Sequence, residues 1–162
     1  MIERRLTIAF AATLGLLTAV LPAAADPALG TATGRWAGKG WVKKPGDAAK
    51  QIVRCRIASD FEAPRLSIDG KCAASGTNFP VKGYIDETSG RFTGRWYSPT
   101  SSAVAPVTGR ARGKTVAISF TFPGKEGHKP VSGNLSWEKG SDELVLTSTD
   151  GTNELSRIVF ER

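Results

Sequence analysis

From residue 33 onward, apolar and polar positions alternate in short runs separated by turn-forming residues. Val53, Cys55 and Ile57 stand between Arg54 and Arg56, and Leu66, Ile68, Gly70 and Cys72 share the next alternating face. A period of two is that of a half-buried strand, whose successive side chains point to opposite faces. The pattern predicts ten strands, at 33–42, 51–59, 65–73, 79–86, 91–98, 103–111, 115–122, 131–138, 143–148 and 155–161. The connectors carry turn chemistry, as in Glu87-Thr88-Ser89-Gly90, Arg112-Gly113, Lys139-Gly140-Ser141-Asp142 and Asp150-Gly151-Thr152-Asn153. Links of hairpin length leave no room for crossover helices, so the fold class is all-β, a single antiparallel meander.

The predicted inner face is apolar from strand to strand: Val53, Ile57, Leu66, Ile68, Phe79, Val81, Ile85, Phe92, Trp96, Val116, Ile118, Phe120, Phe122, Leu135, Trp137, Leu144 and Leu146. The opposite face holds charged and hydroxyl residues such as Lys82, Arg91, Thr115, Ser119, Asn134 and Glu138. One-sided patterning favours a sheet that closes on itself, a barrel of about 8–10 strands, because closure removes free edges. A β-sandwich would alternate in the same way and is the alternative. An outer-membrane barrel requires the outward band to be apolar, the reverse of the pattern here.

Ahead of this region, residues 1–25 read as a cleavable signal peptide. Glu3-Arg4-Arg5 opens a charged segment, residues 6–21 form an apolar run, and Ala23-Ala24-Ala25 offers small residues for cleavage after Ala25. The run is shorter than the roughly 20 residues of a spanning helix, and no second such run follows. The expectation is a periplasmic or secreted protein with no membrane span after cleavage. Its single domain occupies 26–162, a length suited to one core. Lys and Arg outnumber Asp and Glu by 22 to 15. The leader takes two bases and one acid, so the mature chain stays basic at +6.

Export bears on Cys55 and Cys72, the two cysteines of the chain. In an oxidising compartment an even count reads first as a disulfide. A hairpin turning within 60–64 sets residue 55 opposite 72, 57 opposite 70 and 59 opposite 68, with both sulfurs on one face. Closing a loop of this size contributes about 3 kcal/mol through the unfolded chain. Two cysteines and one histidine do not make a closed metal site, and no metal or cofactor is expected.

Thr33-Gly34-Arg35-Trp36 recurs as Thr93-Gly94-Arg95-Trp96, with a fainter echo in Ser132-Gly133-Asn134-Leu135-Ser136-Trp137. Each glycine shares a face with its tryptophan, which suits either a tightly curved core or a site where a flat ring meets backbone. Gly34-Arg35-Trp36, near the mature N-terminus, resembles the opening of the first strand in calycins, the lipocalins and avidin-like proteins. That resemblance implies a cup for a small apolar molecule, lined by Trp36, Trp96, Phe120 and Trp137. It also implies an arginine from the far end of the barrel packed over Trp36, for which Arg157 is the comparable position. The chain has no Thr-Asp-Tyr turn motif and no avidin-type run of biotin-contacting residues, so no particular ligand follows from it.

A second reading rests on the outward cations. Arg54 and Arg56 share a face of one strand, Arg110 and Arg112 of another, and Arg95 stands between them in the chain. If these faces adjoin, they form a basic face for an anionic envelope component: phosphate, lipid headgroup or acidic glycan. Nucleic acid does not fit an exported protein. Catalysis finds little to stand on: the lone histidine, His128, lies among Gly, Lys and Pro, and no nucleophile is tied to it by a motif. The sequence thus points to a non-enzymatic binding protein of the envelope, through its interior or through its outer wall.

Overall fold

The computed structural model describes residues 27–44, 46, 49–124, 127 and 129–162. The predicted leader and His128 lie outside the described residues.

Ten strands follow one another: β1 (Gly34–Val42), β2 (Gln51–Glu62), β3 (Arg65–Ala74), β4 (Thr77–Thr88), β5 (Arg91–Tyr97), β6 (Val104–Arg112), β7 (Thr115–Phe122), β8 (Val131–Glu138), β9 (Glu143–Thr149) and β10 (Glu154–Glu161). Each pairs antiparallel with its chain neighbours, and β1 pairs with β10, so the meander closes into a barrel rather than a sandwich. Alternation along β2 supplies the inner face. Val53, Cys55, Ile57 and Ser59 are buried while Ile52, Arg54, Arg56 and Ala58 are exposed, so one face turns inward along most of the strand. Among the described residues no helix is long and apolar enough to cross a membrane.

The β2–β3 hairpin has the expected register, Cys55 opposite Cys72, Ile57 opposite Gly70 and Ser59 opposite Ile68. The Cys55–Cys72 disulfide is formed, with Cα atoms 3.9 Å apart. The strands run further than predicted, to Glu62 opposite Arg65, leaving only Ala63 and Pro64 in the turn. Between β4 and β5 the turn is likewise two residues. Ser89 and Gly90 both take positive φ, 51° and 73°, the primed geometry whose twist matches that of the flanking strands.

A single cluster of buried side chains fills the interior. Two of its aromatic rings fit because glycine stands opposite them on the neighbouring strand. Trp96 faces Gly83 of β4, where a Cβ would sit 2.7 Å from the indole, and Phe120 faces Gly133 of β8, where a Cβ would collide with the ring tip. Both rings therefore lie over cross-strand glycines, and Trp96 does not lie over the glycine two residues earlier in its own strand. Gly94, two residues before Trp96, instead meets the Tyr84 carbonyl, a backbone approach that tight coiling demands.

One end of the barrel is stoppered by a 3₁₀ helix, Leu29–Ala32, ahead of β1. Its Leu29 is fully buried, and the Leu29 amide donates to a Glu87 carboxylate oxygen at 3.1 Å. The alternation of the strands gave no sign of this element.

Candidate functional site

The four aromatic residues expected to line a cup all point inward and are buried: Trp36, Trp96, Phe120 and Trp137 are 2–7% exposed. They serve two places. Trp36 and Trp137 lie at the stoppered end, where both indole N–H groups are spoken for. Trp36 Nε1 donates to the Ala32 carbonyl at 3.2 Å and to Ser59 Oγ at 3.0 Å, and Trp137 Nε1 donates to Thr31 Oγ1 at 2.9 Å. Trp96 and Phe120 stack on each other further along, with centroids 4.9 Å apart and planes 10° from parallel. Phe122 meets Phe120 edge-on at 5.8 Å.

The arginine over Trp36 is Arg162, not Arg157. The register that puts Glu161 opposite Ala37 brings the next residue, Arg162, to Trp36, with its guanidinium carbon 4.4 Å from the ring centroid. The same side chain donates to the Thr31 carbonyl at 2.6 Å, tying the 3₁₀ helix to the start of β1 and the end of β10. Arg157 points outward near the opposite rim, opposite Trp41 and Thr147, and pairs with Glu154 at 3.1 Å.

The outward cations expected to form one basic face separate into groups. Arg54 and Arg56 lie on β2, Arg95 lies on β5 between Tyr84 and Pro106, and Arg110 and Arg112 lie on β6, where Arg110 faces Arg91. Strands β3 and β4 intervene between the first group and the others. What joins Arg54 and Arg56 instead comes from their immediate neighbours. Lys39 of β1 stands opposite Arg54, and Lys71 of β3 stands opposite Arg56. Alanines fill the other two places, Ala73 opposite Arg54 and Ala37 opposite Arg56.

This checkerboard of long cations and alanines shapes a depression of about 290 Å³ on the outer wall, with Asn78 at its margin. The short alanine side chains leave the floor low and the four cationic chains raise its walls. No carboxylate lines it. None of the ion pairs among the described residues involves Lys39, Arg54, Arg56 or Lys71. Neighbouring strands lie about 4.8 Å apart and alternate residues about 7 Å apart along a strand. Those spacings are within a Debye length of about 10 Å, so the potentials of the four charges add.

Elsewhere on the wall, Arg65 and Arg157 are paired with carboxylates. Arg65 forms a two-pronged pair with Asp86 at 2.7 and 2.8 Å and lies over the Tyr84 ring. That hydrogen bonding holds the Asp86 carboxyl below its ordinary range and raises the Arg65 guanidinium. A second depression, of about 350 Å³, crosses β7 to β10 and is lined by hydroxyl and amide groups. Its members bond to one another, Asn134 to Ser119 at 3.2 Å and Thr121 to Ser132 at 2.9 Å, and its one cation is the Arg157 held by Glu154. It is the larger hollow but has no unmatched charge.

Lys39 and Lys71 were missed by sequence reasoning although alternation puts both outward. Lys71 was within reach, since the register that sets Cys55 opposite Cys72 also sets Arg56 opposite Lys71, whereas the β1–β2 register that brings Lys39 to Arg54 is set across a loop without a sequence marker. Among the described residues no group of three or more His, Cys, Asp or Glu side chains converges to hold a metal ion. No protein-family model matches the chain, and no curated protein matches it.

Proposed function

We propose that this barrel is an exported envelope protein that works by its outer wall, capturing phosphate- or carboxylate-bearing groups in the basin between Lys39, Arg54, Arg56 and Lys71. The observation that carries this reading is the concentration of four cations, with no lining carboxylate, around one concave floor. Two guanidinium groups provide planar forks for oxyanions and two ammonium groups add mobile point charges, a donor set suited to tetrahedral or planar anions.

Carriage of a small apolar molecule inside the barrel, the other reading of the sequence, has less support. The interior positions are filled by a continuous core, and two of the four aromatic residues that would line a cup spend their N–H groups closing one end. The barrel nevertheless supports a calycin-like ancestry. Gly34-Arg35-Trp36 opens β1, and an arginine from beyond β10 packs on that tryptophan. The buried disulfide fits export, since such bonds persist in oxidising compartments.

The test is calorimetric titration of the purified mature protein with inorganic pyrophosphate, at low and at physiological salt. Binding that weakens with salt and falls at least about tenfold in Arg54→Glu/Arg56→Glu, with the circular dichroism unchanged, is the expected result. Undiminished binding in that variant sinks the assignment.

A further inference from the structure

The basin has an apolar neighbour. Two residues from Lys39 along β1, Trp41 points outward, and opposite it on β2 stands Ile52, 72% exposed and the most open of the large hydrophobic residues on the described surface. A single exposed isoleucine needs no explanation. Its setting does. Trp41 and Ile52 form an apolar step with cations on either side: Lys39 opposite Arg54 on the basin side, and toward the rim Lys43, two residues beyond Trp41, and Lys50, two residues before Ile52. Lys50 Nζ lies 3.7 Å from the Trp41 ring centroid. The other three tryptophans of the chain, Trp36, Trp96 and Trp137, are buried in the core.

We propose that the β1–β2 wall docks on an anionic lipid surface, the basin taking headgroup phosphates while Trp41 and Ile52 enter the headgroup layer. This rests on the basin's being an anion site and names the source of the anion. The charge pattern complements such a surface on both sides of the apolar step. Indole rings favour the boundary between headgroups and acyl chains, and lysine stems reach past an apolar contact to place their ammonium groups on phosphate. The apolar area also discriminates between partners. Two side chains fall far below the roughly 800 Å² per partner of a standard protein interface, yet a shallow insertion backed by several cations suffices for reversible attachment to lipid.

The experiment uses vesicles of phosphatidylcholine with and without phosphatidylglycerol, each also prepared with brominated phosphatidylcholine as a quencher. The wild-type protein is expected to sediment with the phosphatidylglycerol vesicles only, and its tryptophan emission to be quenched by the brominated chains. In Trp41→Phe the quenching disappears while the protein still sediments. In Ile52→Ser vesicle affinity falls about tenfold while pyrophosphate binding is unchanged. Both positions are on the outer face, and an unaltered melting temperature verifies that each variant is folded. Sedimentation without quenching, no effect of Ile52→Ser, or equal binding to vesicles of phosphatidylcholine alone overturns lipid docking and leaves the basin reading standing. Capture of a soluble acidic glycan that depends on Trp41, with no vesicle binding, replaces the lipid by a glycan. Failure to bind pyrophosphate and vesicles alike removes both readings.

Discussion

The Arg162 guanidinium lies over the Trp36 ring, 4.4 Å from its centroid, while donating to the Thr31 carbonyl. One side chain thereby clamps the end of β10, the start of β1 and the 3₁₀ stopper together. Arg162→Ala removes a cation–π contact and a charge-assisted hydrogen bond, a loss of about 1–2 kcal/mol in urea unfolding. Arg162→Lys should recover only part of this, because a lysine cannot both stack flat and reach the carbonyl. A variant with unchanged midpoint would show that Arg162 does not hold the stopper.

Gly133 is expected to be intolerant of even a methyl group. A Cβ there runs into the Phe120 ring, and Phe120 is already stacked on Trp96. Gly133→Ala should force the ring aside at a cost of about 1–3 kcal/mol, and the displaced stack should change the near-ultraviolet circular dichroism. Gly46→Ala makes the comparison: no neighbour lies within 4 Å of its added Cβ, although its φ of +83° carries a backbone cost. Only the Gly133 variant should alter the aromatic signal.

Acid should destabilise the barrel through two carboxylates in particular. Asp150 accepts from the backbone N–H groups of Asn153 and Thr152, which lower its pKa to about 2. Asp86 is lowered by its hydrogen bonds from Arg65. A carboxyl whose folded pKa lies below its unfolded value stabilises the fold above the unfolded value, near 4, and loses that contribution as pH falls toward the folded one. Melting temperature is therefore expected to decline between about pH 4 and 2. Asp150→Ala should lower the plateau at neutral pH and flatten the decline, and an equally steep limb in that variant would remove Asp150 from the account. Asp86 is half-buried but its partner Arg65 is exposed, so added salt should reduce the Asp86 contribution.

The ten strands were legible in the sequence because alternation is written locally, one residue after another, and their bounds moved by only a few positions. Hairpin register was legible where a marker fixed it, as Cys55 and Cys72 do for β2 and β3. What escaped was set by closure or by elements too short for a period. Leu29–Ala32 is a single turn and carries no repeat to read. Assigning Arg157 to Trp36 failed because the β1–β10 register depends on how the ring closes, and that register advances the partner to Arg162. The basin was partly visible: Arg54 and Arg56 were evident from one strand and Lys71 follows from the Cys55–Cys72 register, but Lys39 joins them only across the β1–β2 ladder. Trp41, an odd position on a strand whose even positions turn inward, was legible as an outward residue from parity alone.

Cys55 and Cys72 point into the core at 4% and 1% exposure, directly beneath the strands whose outer face bears the basin. At such low exposure a thiol reagent or reductant reaches the sulfurs far more readily once the ladders on either side open. Cleavage of this bond therefore waits on the opening of the barrel, and its rate is a clock for that opening. The same covalent link that restrains the unfolded chain keeps time for the folded one.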